Sequence, residues 1–135
     1  MDAVTHALKS TIEAADRAIT AEDFDALMDF YADEATLVVK PGLKVSGKPA
    51  IRRAFVAIAE HFNHSLQVGQ GRMEVVEGGD TALVIMETSL SVADASGSRE
   101  SFTRRATYVF RRVGEHWLCV VDNSYGTGLL DGIDG

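Results

Sequence analysis

The sequence predicts an α+β domain: three N-terminal amphipathic helices packed on the concave face of a curved, mainly antiparallel sheet. Two observations predict it. Apolar residues recur at helical spacing as far as Phe62, interrupted only by one short strand hairpin. From His64 onward the pattern changes to long runs rich in β-formers, joined by short connections of Gly and small polar residues. Helices segregated from strands define the α+β class. The chain of 135 residues suits one domain with one core, spanning 1–135.

Each element has its own signal. Val4, Leu8, Ile12, Ala15 and Ile19 mark one face of a first helix. "TAED" (Thr20 to Asp23) reads as a capping pattern, a hydroxyl followed three residues later by an acid. A second helix follows, with Phe24, Leu27, Met28 and Tyr31 on one face, and "ADEA" ends it. Leu37, Val38 and Val39 form a short strand, and the Pro-Gly pair of "KPGLK" turns the chain. Pro49 suits the first turn of a third helix carrying Ile51, Phe55, Ile58 and Phe62. Four strands are expected over 65–77, 80–93, 99–113 and 116–125. "EGGD", "ADASGS" and "RVGEH" connect them as an antiparallel meander. "GQG" (Gly69 to Gly71) inside the first of these marks a bulge that bends the sheet. A helix-lined cone of this kind leaves a cavity at its open end.

Composition narrows the function classes. Residues 1–34 carry nine acids against Lys9 and Arg17, and the net charge is −7, which excludes a nucleic-acid surface at that end. Cys119 is the single cysteine, so no intrachain disulfide forms, and its apolar neighbours point to a buried, inert thiol. No apolar run approaches the roughly 20 residues of a membrane span. "MDAVTHALKS" has no signal-peptide pattern, so a soluble cytoplasmic protein without membrane contact is expected. The sequence has no P-loop, dinucleotide fingerprint or nucleophile elbow, and no cofactor is expected. His61 and His64 have no third ligand at a fixed spacing, so they read as a polar helix end and no metal is expected.

The candidate site lies near the end of the chain. "WLCVVDNSYG" begins as a core strand and finishes in an acid, an amide, a hydroxyl and a phenol. Strict alternation puts Trp117, Cys119, Val121, Asn123 and Tyr125 on one face, and His116, Leu118, Val120, Asp122 and Ser124 on the other. Both sets are largely apolar, so both faces are expected to be covered: one by helices, the other by a second subunit. Asp122 needs a partner if buried. Arg104 shares parity with Phe102, Ala106 and Tyr108, and Arg105 with Thr103, Thr107 and Val109. One of the two is expected to pair with Asp122 or Glu87. Glu87 shares parity with Leu83 and Ile85 and is expected to be buried. Two readings stand for these charges: a structural ion pair, or groups facing a pocket. Tyr31 is read as core or ligand-facing. Asn123 and Tyr125 either orient a ligand or lock the chain end around Gly126.

Two stretches carry a family resemblance. "DFDALMDFYADEATLVVKPGLKVSGKPAIRRAF" (Asp23 to Phe55) resembles the nuclear transport factor 2-like superfamily, which includes ketosteroid isomerase and the SnoaL-like polyketide cyclases. "RRATYVFRRVGEHWLCVVDNSYGT" (Arg104 to Thr127) resembles the last hairpin of its ketosteroid isomerase-like, calcium/calmodulin kinase association-domain-like branch, and Arg105 resembles the Arg that precedes a Thr in many SnoaL-like sequences. The resemblance implies a cystatin-like cone, a homodimer and a small, partly apolar ligand in the cone. It does not carry the isomerase reaction. Lys40 stands where those enzymes have a general-base Asp before the hairpin Pro, and Ala15 where they have an oxyanion-binding Tyr. Asp122 is therefore the candidate catalytic base. Arg104, Arg105, Asn123, Tyr125, Glu87 and Tyr31 are the candidate ligand-binding residues. A noncatalytic binding or oligomerisation module of the same fold is the alternative.

Overall fold

The computed structural model describes residues 2–131. Helix α1 (Ala3–Ala21) starts on Asp2, whose side chain accepts from the Thr5 amide at 2.8 Å. It buries Leu8, Ile12 and Ala15. Full burial of Leu8 and Ile12 stabilises the domain by roughly 2 kcal/mol each. Helix α2 (Phe24–Leu27) is a single turn capped by Asp23, and a 3₁₀ turn (Met28–Phe30) follows it. Strand β1 then spans Tyr31–Lys40 and turns into β2 (Leu43–Ser46). Helix α3 (Lys48–His61) carries Pro49 in its first turn and buries Ile51, Phe55 and Ala59. The remaining strands are β3 (Gln67–Gly78), β4 (Thr81–Ala93), β5 (Arg99–Val113) and β6 (His116–Asn123). A 3₁₀ turn, Gly126–Asp131, ends the described chain.

The six strands form one sheet in the order β2-β1-β6-β5-β4-β3. Every neighbouring pair is antiparallel except β1 and β6, which run parallel. The sheet is therefore mixed, and the last strand lies at its centre. One face carries the core: Ala82, Val84 and Met86 of β4, Ala106, Tyr108 and Phe110 of β5, and Trp117 and Cys119 of β6. Phe30 seals it, meeting Tyr31, Tyr108 and Phe110 edge-on at 5.0, 6.3 and 5.6 Å between ring centres.

Three expectations change. Tyr31 is not helical: it opens β1, because the chain leaves helical geometry after Phe30. Between Tyr31, opposite Cys119, and Thr36, opposite Val121, the ladder slips, so exposed Asp33 and Glu34 loop outward. The cap of α2 is Asp23 alone, because the Thr20 hydroxyl accepts from the Val68 amide at 3.2 Å instead. His64 lies beyond α3 and bonds Glu22 at 2.8 Å, while His61 packs edge-on against Phe62. The "GQG" bulge is present: Gly71 and Arg72 together oppose Glu87. Among the described residues no helix is long and apolar enough to cross a membrane.

Candidate functional site

Asp122 reaches the interior because of one irregularity. Val109 pairs with Val121 and Phe110 with Cys119, so Val120 is an extra residue bulged out of β6. The bulge resets the alternation. Trp117, Cys119 and Asp122 all point to the core, while Val121 is 38% exposed on the opposite face. Strict alternation had grouped Asp122 with Leu118, and this bulge is the reason it fails.

Asp122 lies between Leu37 of β1 and Tyr108 of β5. Among the described residues its carboxylate accepts one hydrogen bond, from the Tyr31 hydroxyl at 2.6 Å, and no arginine pairs with it. Burial pushes the Asp122 carboxyl up from 3.8 to about 6, although the Tyr31 bond pulls the other way. The Tyr31 and Tyr108 hydroxyls are also held well above their ordinary range, chiefly by burial and then by the Asp122 charge.

A second carboxylate escaped the sequence reading. Asp16 of α1 is buried and accepts from Gln70 Nε2 at 2.8 Å, and the Thr88 hydroxyl in turn donates to Gln70 Oε1 at 3.1 Å. Burial raises its carboxyl to about 7, with the Asp122 charge adding to the rise and the Gln70 bond opposing it. The available signal was its position: Asp16 follows Ala15 and Ile12 on the buried side of α1, four residues beyond an apolar contact.

Both carboxylates line a cavity of about 150 Å³ between α1, α3 and the sheet. Its walls are mostly apolar, with Leu37, Phe55, Ile58 and Leu90 among them. Thr88, Arg104, Tyr108, Ser124 and Tyr125 supply the other polar groups. The hairpin residues facing it, Leu37, Val38 and Val39, carry no acid or base. Asp16 also borders a surface depression with Glu13, Arg17 and Gln70.

The other candidates separate cleanly. Arg104 lines the cavity and Arg105 does not. Arg105 lies on the outer face, 3.7 Å from Glu87, whose two oxygens accept from Arg72 at 2.9 Å each. The Arg72 bonds hold the Glu87 carboxyl down at about 2. Glu87 is thus neither buried in the core nor part of the cavity. The expected partnership of an arginine with Glu87 exists, on the surface opposite the site. Inward parity on β4 belongs to Ala82, Val84, Met86 and Thr88, and this leaves Leu83, Ile85 and Glu87 outside. Tyr31 does not line the cavity but holds Asp122 from behind. Asn123 locks the chain end: its Oδ1 accepts from the Tyr125 and Gly126 amides, and its Nδ2 donates to the Gly126 carbonyl, each at 3.1 Å. Tyr125 remains at the cavity mouth, its hydroxyl 3.4 Å from the Val39 carbonyl oxygen.

Comparison with known proteins agrees with this fold. Among solved structures, Aln2 from a Streptomyces species superposes with a TM-score of 0.81 at 17% identity, covering 91% of this chain and 90% of that one. An uncharacterized protein with a cystatin-like fold from Caulobacter vibrioides gives 0.74 at 13% identity, covering 96% and 94%. An NTF2-like protein with a cystatin-like fold from Novosphingobium aromaticivorans gives 0.72 at 19% identity, covering 92% and 82%. At these identities the likeness shows the fold alone. No curated protein matches the sequence. The family model for the SnoaL-like domain matches residues 8–121. The chain therefore belongs to the SnoaL-like domain family, and it has a cystatin-like α+β fold of helices on a mixed sheet.

Proposed function

We propose that the protein binds a small, partly apolar molecule in this cavity and moves a proton on it, with Asp122 as base and Asp16 as the matching acid. One observation carries the reading: two buried carboxylates, neither paired with a cation among the described residues, share one apolar cavity, and burial raises them to about 6 and about 7. Burial raises both, and the Asp122 charge raises Asp16 further, so Asp122 suits the proton acceptor and Asp16, which keeps its proton longer, suits the donor. Environments that set the proton affinities of two neighbouring carboxyls apart are what acid–base catalysis at neutral pH needs. Deuterium exchange tests it. A phenyl ketone such as 4-phenylbutan-2-one, incubated with the protein in D2O, is expected to exchange its α-protons faster than in buffer. The rate should climb with pH through about 6, following Asp122, and Asp122→Asn should abolish it. Binding of the ketone with exchange no faster than in buffer leaves a noncatalytic binding module.

The same proposal includes a homodimer and a cytoplasmic setting, in which the lone buried thiol of Cys119 stays reduced. Val76, Leu83, Val109 and Val121 pair in one row across four strands of the outer face. Val76 is 54% exposed, Leu83 36% and Val121 38%. A continuous aliphatic row of this kind favours burial against its own copy about a two-fold axis. Light scattering on Leu83→Glu is expected to read a monomer of 14.6 kDa where the parent reads a dimer. A monomeric parent at micromolar concentration removes the dimer.

A further inference from the structure

Arg104 is a cation placed where an apolar cavity opens. Its guanidinium carbon lies 4.2 Å from the centre of the Tyr125 ring and 5.2 Å from that of Phe102. Nη1 donates to the Ser124 hydroxyl at 3.4 Å. Among the described residues no carboxylate comes within ion-pair distance of it, although the chain has 20 acids for 13 bases. The two aromatic rings hold the planar group in place and leave several of its donors unused. A half-buried guanidinium with unused donors is a site for a planar anion.

A second observation points the same way. Outside the mouth, an open groove of about 610 Å³ runs between the β1–β2 hairpin and α3. Val39, Ile58, Phe62 and Tyr125 border both the groove and the cavity, so the two spaces share one wall. The basic side chains lining the groove among the described residues are Lys40, Arg53 and His61, and no carboxylate lines it. In a protein of net charge −7, this is a positive approach through a negative surface. It attracts anions and leads them to Arg104.

We propose that the ligand is an amphipathic organic monoanion, a carboxylate on a small apolar body. The carboxylate lies on Arg104 and Tyr125 at the mouth, and the apolar body points inward to Asp122. This inference rests on the cavity-binding reading and adds the chemical class. Size and charge both set the orientation. A cavity of about 150 Å³ takes roughly one benzene-sized ring. Arg104 and Tyr108 face the same way four residues apart on β5, with roughly 13 Å of strand between their backbones, and Tyr108 is the residue that pairs with Asp122. A carboxylate at the inner end would face two acids, whereas at the outer end it meets the arginine.

The test compares two near-isosteric probes, 4-phenylbutanoate and 4-phenylbutanamide, titrated into the full chain near pH 7.5 and followed by methyl NMR of the cavity residues. The acid is expected to bind about tenfold or more tighter than the amide. Arg104→Met should remove that gap by weakening the acid alone. Arg104→Lys should keep part of it, and Arg105→Met, on the outer face, should leave it intact. The amide is also the folding control, since unchanged amide affinity in Arg104→Met shows an intact cavity. If that variant loses the amide as well, the Arg104→Lys and Arg105→Met pair decides: a gap reduced equally in both overturns the proposal. Equal binding of acid and amide to the parent, or a gap that survives Arg104→Met, overturns the monoanion and leaves the cavity reading standing. If neither probe shifts a cavity methyl, the cavity reading falls and the monoanion with it.

Discussion

Asp122→Asn offers the sharpest check on the buried carboxylate. In the folded protein its carboxyl titrates at about 6, against 3.8 in an exposed chain. At about 1.4 kcal/mol per pH unit, that difference corresponds to roughly 3 kcal/mol. The sign follows from proton counting. Between 3.8 and about 6 the folded state binds more protons than the unfolded state, so stability falls as pH rises through this window and stays lower above it. The figure already includes the Tyr31 bond, which favours the ionised form. Asparagine keeps an oxygen to accept from Tyr31 and carries no charge at any pH. Its amide donors add a cost that does not vary with pH. Urea denaturation of parent and variant near pH 4 and near pH 8 should therefore show the variant gaining about 2–3 kcal/mol on the parent over that interval. Relief of Asp16, whose proton affinity the Asp122 charge raises, adds in the same direction. A stability difference that stays constant with pH refutes the buried, unpaired carboxylate. A variant that loses 3–5 kcal/mol at high pH, as when one member of a buried ion pair is removed, refutes it more directly.

Tyr31→Phe removes the hydroxyl that holds Asp122, so ¹³C NMR of the Asp122 carboxyl should show its titration moving above about 6. The same variant should lose about 1.5–3 kcal/mol near pH 8, where the bond is to a charge, and closer to about 1 kcal/mol near pH 4, where it is not. A titration that stays put or moves down would mean that the Tyr31 bond does not hold the ionised form. Gly126 has φ +56°, and a Cβ there meets the carbonyl oxygen of Arg105. Gly126→Ala should therefore cost about 1–3 kcal/mol in thermal or urea unfolding, and a neutral result would show that the chain end is not locked against β5.

Much of the fold was legible because local physics decides it. Helical spacing in Leu8, Ile12 and Ala15, Pro49 in the first turn of α3, and Gly-rich connections between β-formers each act over a few residues. The four long strands accordingly lie within a few residues of their expected bounds. The SnoaL-like resemblance was readable for the same reason, since its motifs sit in contiguous hairpins and helix starts. What sequence alone could not decide involves residues far apart. Nothing local says that β6 pairs in parallel with β1 and so becomes a central strand. Nothing local shows that Val120 bulges, because a strand apolar on both faces satisfies either parity; the bulge alone puts Asp122 inside and Val121 outside. The choice between Arg104 and Arg105 followed from which face of β5 the helices cover, a question of tertiary packing. Asp16 joined the site only when α1 packed against β3 and brought Gln70 to its carboxylate. Periodicity determines which residues share a face. Packing decides which face becomes the interior, and the environment inside it sets the proton affinities of Asp16 and Asp122.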